Sequence, residues 1–225
     1  MRLFYNENYF EEYGEKYDSI SDNDFLTLRD FLPEIRPNSR ILELGCGSCS
    51  FGERVQGITS VSSLVGVDIC LSALQWSSAT CCQGDAAQLP FHDKVFNSIL
   101  VAAAFHHFPD ISRTLAESYR CLSAGGSLFA FEPNMFHPHR LICMTDPLRR
   151  YFYKTGDHCI SPLWMKRRMK ELGFKNIKIG FIALEGHHVN FMARCNLALI
   201  KIVGMKLPVL YPVVAPWFVI SGNKP

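Results

Sequence analysis

The segment from Arg40 to Asp68, RILELGCGSCSFGERVQGITSVSSLVGVD, contains the pattern that decides the fold. A short apolar run ending at Leu44 is typical of a buried strand. The turn Gly45-Cys46-Gly47 follows it, and glycine permits a tight turn and a close approach of the backbone to a ligand. A second apolar run ends in Asp68, roughly 20 residues after the turn, where an acid can accept the hydroxyl groups of a ribose. This order of elements indicates a nucleotide-type cofactor site in a doubly wound α/β fold.

The spacing inside the glycine turn separates two classes of cofactor. A dinucleotide enzyme with the GxGxxG pattern needs glycine at position 50, where this chain has Ser50. The pattern is instead Glu43-x-Gly45-x-Gly47-x-x-x-x-Gly52, with an acid inside the first strand. It resembles motif I of the class I S-adenosylmethionine-dependent methyltransferases. The third glycine of their usual GxGxG form is replaced by Cys49.

A second run, GDAAQLPFHDKVFN at residues 84–97, carries a more specific resemblance. It is similar to the GDAxxLPFxDxxFD run of the methyltransferase family that includes the ubiquinone and menaquinone biosynthesis enzymes, and departs from it at Asn97. The resemblance implies that Asp85 binds the adenine amino group and that the backbone N–H of Ala86 faces a ring nitrogen. A turn or cap is the alternative role for Asp85.

The resemblance implies S-adenosyl-L-methionine as the cofactor and places its contacts in the N-terminal segment, in both motifs and at strand ends. The predicted cofactor-binding residues are Tyr17, Glu43, Gly45, Cys46, Gly47, Asp68, Ile69, Asp85, Ala86 and Ala102.

Two histidines follow the fourth predicted strand, in Phe105-His106-His107-Phe108-Pro109-Asp110, where the family commonly has LHHxxD. Methyl transfer needs a base only if the acceptor arrives protonated, and imidazole titrates near neutrality. His107 is the predicted catalytic base. A role in shaping the pocket is the alternative for both histidines.

Composition bounds the remaining choices. With 225 residues, 48% hydrophobic and 20% charged, the chain fits one domain with a sizeable core. A net charge of +2 gives no basic face, so no nucleic-acid partner is expected. Nine scattered cysteines and no secretory signal predict reduced thiols and a cytoplasmic location. Cys46-x-x-Cys49 has no second CxxC or HxxxH partner, so no metal is expected there.

The predicted fold is α/β: a doubly wound, Rossmann-like, seven-stranded, mostly parallel sheet whose last strand is antiparallel, with an N-terminal helical lid. The lid is suggested by Tyr5, Tyr9, Tyr13 and Tyr17, which recur at helical spacing. A helix that packs this stripe on the body is the alternative. Residues 1–225 are predicted to be one methyltransferase domain, divided into the lid (1–37), the cofactor-binding core (38–134), a substrate loop (135–160) and a C-terminal part (161–225) with an apolar insertion (186–216).

Local signals set several element boundaries. We expect helices over Asp24–Leu32 and Ile69–Trp76, and the fourth strand over Phe96–Ala104. The helix capped by Asp110 should end at Ala124-Gly125-Gly126, and another should run from Ser161 to Leu172.

The acceptor is the least determined part of the prediction. Prolines and lysines interrupt the insertion, so it is not a transmembrane helix. It could cover a hydrophobic substrate, make peripheral membrane contact, form a dimer face or pack on the sheet edge. We expect a small or lipid-like acceptor methylated at oxygen or carbon. A cofactor-binding partner subunit without catalysis, or a nicotinamide-dependent oxidoreductase, is the alternative, and the sequence predicts no oligomeric state.

Overall fold

The computed structural model of the chain describes residues 20–138, 160–184 and 200–225, with positions 201 and 203 excepted. The tyrosines of the predicted lid, residues 139–159 of the predicted substrate loop and residues 186–199 of the predicted insertion lie outside this part. No helix in the described ranges is long and apolar enough to cross a membrane.

A seven-stranded sheet forms the centre of the molecule, in the order β3-β2-β1-β4-β5-β7-β6. The first five strands are parallel, and β7 runs antiparallel to both of its neighbours. The predicted seven-stranded, mostly parallel sheet with an antiparallel last strand is therefore confirmed. The strands are β1 (Arg40–Leu44), β2 (Ser63–Asp68), β3 (Thr80–Gln83), β4 (Phe96–Ala102), β5 (Leu122–Pro133), β6 (Lys175–Ile182) and β7 (Trp217–Asn223).

Helices cover both faces of the sheet. Those described are α1 (Asp22–Arg29), α2 (Ser50–Ile58), α3 (Leu71–Leu74), α4 (Ile111–Cys121), α5 (Pro162–Leu172) and α6 (Tyr211–Val214), with 3₁₀ turns at Phe105–His107 and Pro208–Leu210. Helices α4 and α5 begin at the predicted caps, because the side chains of Asp110 and Ser161 accept the backbone N–H of Arg113 and Trp164. Gly173, at φ +104°, ends α5 as predicted.

The core lies on the two faces of the central strands. On one face Leu115 of α4 and Met165 of α5 belong to one buried cluster with apolar residues of β4, β5 and β7. On the other, Phe25 of α1 and Phe51 of α2 pack against the sheet, and the rings of Phe51 and Phe129 stack with centroids 6.1 Å apart. Because both faces are covered, β1 and β4 are almost continuous apolar runs.

Four predicted elements have other bounds in the structure. The helix predicted over Asp24–Leu32 is α1, which begins earlier because the side chain of Ser21 accepts the backbone N–H of Asp24 as an N-cap. The predicted helix 69–76 is reduced to α3, because Cys70 is extended and caps a single turn. The fourth strand ends at Ala102, because Ala103 has φ +52° and starts a turn. Helix α4 ends at Cys121 rather than at 124–126, because Leu122 already pairs with Phe96 as the first residue of β5.

Candidate active site

The carboxyl ends of the parallel strands bring the predicted site residues to one edge of the sheet. The glycine turn follows β1, Asp68 ends β2, Asp85 comes two residues after β3, and His107 follows β4. The backbone N–H of Gly47 donates to Asp68 Oδ2 at 2.9 Å, which joins the first two of these ends directly. Doubly wound folds bind their ligands at this edge.

The glycine turn has a backbone that favours glycine at two positions. Gly45 and Gly47 have φ of +61° and +52°. A Cβ on Gly45 would lie 2.6 Å from Ala104 Cβ, so this glycine also allows the turn to pack on the segment after β4. The N–H groups of Gly45 and Cys46 both point to the carbonyl oxygen of Val67, at 2.8 and 3.2 Å. The turn is thereby fixed to the end of β2.

Asp68 is half-buried and receives backbone N–H groups on both oxygens, from Gly47 on Oδ2 and from Cys70 on Oδ1 at 2.9 Å. Burial raises the pKa of its carboxyl group above the usual value, while these two N–H groups and the charge of His107 oppose the rise. A carboxylate has about four acceptor positions, so the backbone N–H groups leave capacity for a further donor. This chemistry fits the two hydroxyl groups of a ribose.

Glu43 lies beneath the turn rather than on its open side. Its side chain is buried, and Oε2 accepts the backbone N–H of Gly52 at 2.9 Å and the thiol of Cys49 at 3.2 Å. Burial raises the pKa of Glu43 to about 8, although both hydrogen bonds act in the opposite direction. A Cβ on Gly52 would lie 2.5 Å from this oxygen. The two outer residues of the predicted motif therefore attach α2 to β1.

The other predicted cofactor-binding residues lie along the same edge or outside the described part of the chain. Asp85 is exposed, and its Oδ1 accepts the N–H of Ala87 at 2.8 Å, which is the turn geometry considered as its alternative role. Ala86 is buried, Ile69 is exposed after β2, and Ala102 is half-buried at the end of β4. Tyr17 lies outside the described residues.

An ion pair that the sequence analysis missed holds the LPFHD part of the second motif. Arg120 of α4 donates to the carbonyl oxygens of Leu89 and Phe91, at 3.2 and 2.8 Å, and to Glu117 through two nitrogens. Glu117 in turn accepts the N–H of Leu89 at 2.9 Å. The hydrogen bond from Arg120 holds the pKa of Glu117 below its usual value. The i, i+3 spacing of the two charges on α4 was the available signal.

Glu132 near the end of β5 is a second missed residue. It is fully buried, and Oε1 accepts the N–H groups of Ala104 and Phe105 at 3.0 and 2.8 Å. Its Oε2 lies 2.7 Å from Nδ1 of His106, which is also buried. The ring of His107 is half-buried, 3.7 Å from that of His106 between centroids. Glu132 thus fixes the segment that carries the predicted base.

Three thiols meet beneath the glycine turn. The Sγ atoms of Cys46, Cys49 and Cys81 all lie within 4.8 Å of one another. Hydrogen bonding from Cys46 lowers the pKa of the Cys81 thiol to about 6. The sequence analysis discounted this site because it considered only partners with regular metal-ligand spacing, whereas Cys81 is brought in by the pairing of β2 and β3.

Residues 42–130 match the family model of the methyltransferase domain, a span that runs from β1 into β5 and includes the glycine turn, Asp68, Asp85 and His107. This part of the chain carries the methyltransferase domain of that family. This confirms the predicted family and, with it, the predicted class of cofactor.

The relatives and solved structures agree on the fold and differ in their named acceptors. A human protein named "Probable tRNA methyltransferase 9B" is 27% identical over 55% of this chain and 28% of its own length. The phthiotriol/phenolphthiotriol dimycocerosates methyltransferase 1 of Mycobacterium ulcerans is 34% identical over 40% of this chain and 35% of its own. The chain thus spans about a third of the length of these curated relatives. A solved methyltransferase from Thermotoga maritima, 19% identical, covers 97% of both chains with a TM-score of 0.69, which is a likeness of fold.

Proposed function

We propose that the chain transfers a methyl group from S-adenosylmethionine to an oxygen or carbon atom of a small or lipid-like acceptor. The observation that carries the proposal is the shared edge of β1 to β4, where Gly47 N–H and Asp68 Oδ2 are 2.9 Å apart and His107 is close enough to influence the Asp68 carboxylate. This edge thus brings together a glycine turn, a carboxylate that can accept the ribose hydroxyls and the titratable imidazole of His107.

The residues of this edge divide the work of holding the cofactor. When bound, S-adenosylmethionine supplies a methyl group on a positively charged sulfur, which an acceptor atom can displace in line. Asp68 would accept the ribose hydroxyls, and the glycine turn would admit the amino-acid portion without side-chain obstruction. Asp85 would receive the adenine amino group, and Glu43 would act indirectly by holding α2 in place. Orientation and the exclusion of water then supply much of the acceleration.

His107 would remove the acceptor's proton where the acceptor is a hydroxyl or an acidic carbon. In this proposal His106 is a positioning residue, since its Nδ1 is hydrogen-bonded to the buried Glu132. Replacement of His107 by Gln should lower kcat by about 10²- to 10⁴-fold, with a smaller loss at higher pH, where the acceptor ionises without help. An unchanged kcat and pH profile would remove the base from the mechanism.

A lipid-like acceptor is favoured by two facts. The relative from Mycobacterium ulcerans is named for action on dimycocerosates. The described residues between 202 and 213 expose several large apolar side chains, among them Met205 and Val209 at 75% and 79% exposure. A tRNA acceptor is the second candidate, favoured by the name of the human relative and disfavoured by a net charge of only +2. Transfer of labelled methyl groups to extracted lipids, quinones and total tRNA distinguishes the two.

The cofactor assignment is tested by calorimetric titration with S-adenosylhomocysteine, with NADH in a parallel cell. We expect binding of the first alone. Asp68→Ala should weaken it by about 1.5–3 kcal/mol, or roughly 10- to 150-fold, because the charged acceptor is lost. Asp30→Ala, at an exposed acid after α1, should bind like the wild type. Equal affinity of the Asp68 variant would refute the ribose assignment.

The same titration addresses the alternatives. Binding of NADH would favour the oxidoreductase, which Ser50 argues against. Binding of S-adenosylhomocysteine without turnover on any acceptor class would favour a partner subunit that binds the cofactor but does not catalyse.

A further inference from the structure

The cluster of Cys46, Cys49 and Cys81 draws its thiols from two parts of the chain, the loop between β1 and α2 and strand β3. Cys46 is in the glycine turn, Cys49 precedes α2, and Cys81 is in β3. Their sulfur atoms all lie within 4.8 Å of one another. Cys46 and Cys49 are buried and Cys81 is half-exposed. Cys46 is also a predicted cofactor-binding residue, so the cluster directly adjoins the proposed cofactor site.

Gly66 provides the space into which the three thiols point. It lies opposite Cys81 in the register of β2 and β3. A Cβ on Gly66 would be 2.7 Å from the sulfurs of Cys46 and Cys81, and 3.2 Å from that of Cys49. The three sulfurs therefore pack against the backbone of Gly66, and any side chain at this strand position would displace them.

We propose that Cys46, Cys49 and Cys81 bind a thiophilic divalent cation, zinc in type, beneath the cofactor turn. Zinc takes thiolate ligands at about 2.3 Å in tetrahedral geometry, which sets sulfur–sulfur separations of about 3.8 Å. Since no separation in the cluster exceeds 4.8 Å, the sulfurs need to move closer by no more than about 1 Å. Three thiolates are a donor set that soft and borderline cations prefer.

Solvent reaches the cluster from the side of Cys81. This residue lines an open pocket of about 510 Å³ between α3 and β3, together with Ser72, Ala79 and Gln83. The pocket gives a cation a route in, and a water molecule there can complete the tetrahedron. A disulfide would use only two of the thiols, at an S–S distance of about 2.05 Å, and would leave the third unused.

The bound cation would join the cofactor turn to β3. Binding to the folded state alone should raise the melting temperature, and above the dissociation constant the rise should follow the logarithm of the cation concentration. Each protonated thiol that becomes a ligand releases its proton, so affinity should rise with pH.

The test uses the full chain, kept reduced by a phosphine, stripped of metal by a chelator and titrated with Co²⁺. We expect a thiolate-to-cobalt charge-transfer band and visible bands of tetrahedral cobalt, removed by one equivalent of Zn²⁺. Cys81→Ser should lower the affinity by at least the roughly 10- to 100-fold that follows loss of a supporting residue at a metal site. Zn²⁺ should then no longer raise the melting temperature at the same concentration.

Two variants show where the cation is bound. Cys82→Ser changes the neighbouring residue of β3, whose side chain packs with the other core cluster, and should keep the full cobalt spectrum. Gly66→Ala keeps all nine cysteines, yet its methyl group would occupy the space between the sulfurs, so it should lose the spectrum. Circular dichroism shows whether each variant is folded. If Gly66→Ala does not fold, the cobalt spectrum of Cys81→Ser tests the proposal alone.

Three results would overturn the proposal. The reduced wild type could show no charge-transfer band. The band could be unchanged in Cys46→Ser, Cys49→Ser and Cys81→Ser alike, which would assign the cation to other cysteines. Reduced protein could bind no cobalt, and exposure to air could join Cys46 and Cys81 in a disulfide as oxygen takes up their two thiol hydrogens. The cluster would then be a redox pair.

Discussion

Two glycines of the same helix, Gly52 and Gly57, differ completely in their surroundings. A Cβ on Gly52 would lie 2.5 Å from Glu43 Oε2 and 2.9 Å from Leu64 Cδ1, both buried groups. A Cβ on Gly57 would meet nothing within 4 Å. Close packing of α2 on β1 is therefore the reason for Gly52, and the last glycine of the motif has a structural explanation.

This difference predicts opposite effects of one substitution. Gly52→Ala should lower the free energy of unfolding by about 1–3 kcal/mol, because a methyl group must displace buried atoms that also satisfy a backbone N–H. Gly57→Ala should raise it by about 0.4–1 kcal/mol through the entropy of the unfolded chain. Urea denaturation measures both. Equal effects at the two positions would contradict the packing argument.

At the scale of elements, Arg120 and Glu117 connect α4 to the Leu89–Asp93 segment. Their bonds reach two carbonyl oxygens and one N–H of that segment, and Arg120 also pairs with Asp93 at 2.8 Å. The Leu89–Asp93 segment contains no helix or strand, so these hydrogen bonds fix its position after β3. The second motif therefore depends on a helix that begins some 20 residues later.

Arg120→Met should cost about 1–2 kcal/mol of stability near pH 7, since charge-assisted bonds are lost at a partly exposed site. The pKa of Glu117 in the folded state lies below its unfolded value, chiefly through the hydrogen bond from Arg120. The ionised Glu117 carboxylate therefore contributes fully to the free energy of unfolding above the pKa of the unfolded state, usually about 4.3. This contribution disappears as pH falls through the pKa of the folded state. The difference between wild type and variant should shrink towards about pH 3.5.

Urea denaturation at both pH values measures this difference. Arg167→Met is the matched control, because Arg167 makes its pair with Glu171 on an exposed face of α5 and should cost under about 0.5 kcal/mol. A loss that does not depend on pH would show that Arg120 stabilises through its carbonyl contacts alone.

These elements also show what the sequence could and could not predict. The strand–turn–strand unit from Arg40 to Asp68 was predictable, because its apolar runs and glycines determine the structure of residues close to them in the sequence. The helix starts after Asp110 and Ser161 were predictable for the same reason. Glu132 beneath His106 was not, because 26 residues separate the partners and only the pairing of β4 and β5 brings them together. Cys81 reaches Cys46 through β2 in the same manner.

At the scale of the whole molecule, the described residues from 202 to 213 form an apolar surface. Its exposed large side chains are Ile202, Met205, Leu207, Val209, Leu210 and Val213. The surface is attached to the sheet, because Nδ2 of the buried Asn134 donates to the carbonyl oxygens of Pro212 and Ala215 at 2.9 and 2.8 Å. It therefore has a fixed position next to the end of β5, which belongs to the proposed active-site edge.

We expect this surface to contact a lipid bilayer, as a lipid-like acceptor would require. Complete transfer of a side chain such as Met205 or Val209 out of water is worth about 1.5–3 kcal/mol. The double variant Met205→Asp, Val209→Asp should therefore weaken binding to phospholipid vesicles at least about tenfold. Leu163→Asp introduces the same charge at an exposed leucine on α5 and should bind vesicles like the wild type. Co-sedimentation measures the vesicle binding of the wild type, the double variant and Leu163→Asp. Sedimentation velocity without lipid tests the alternative that the surface binds a second copy of the chain. A wild-type dimer that the double variant dissociates would assign the surface to that copy instead.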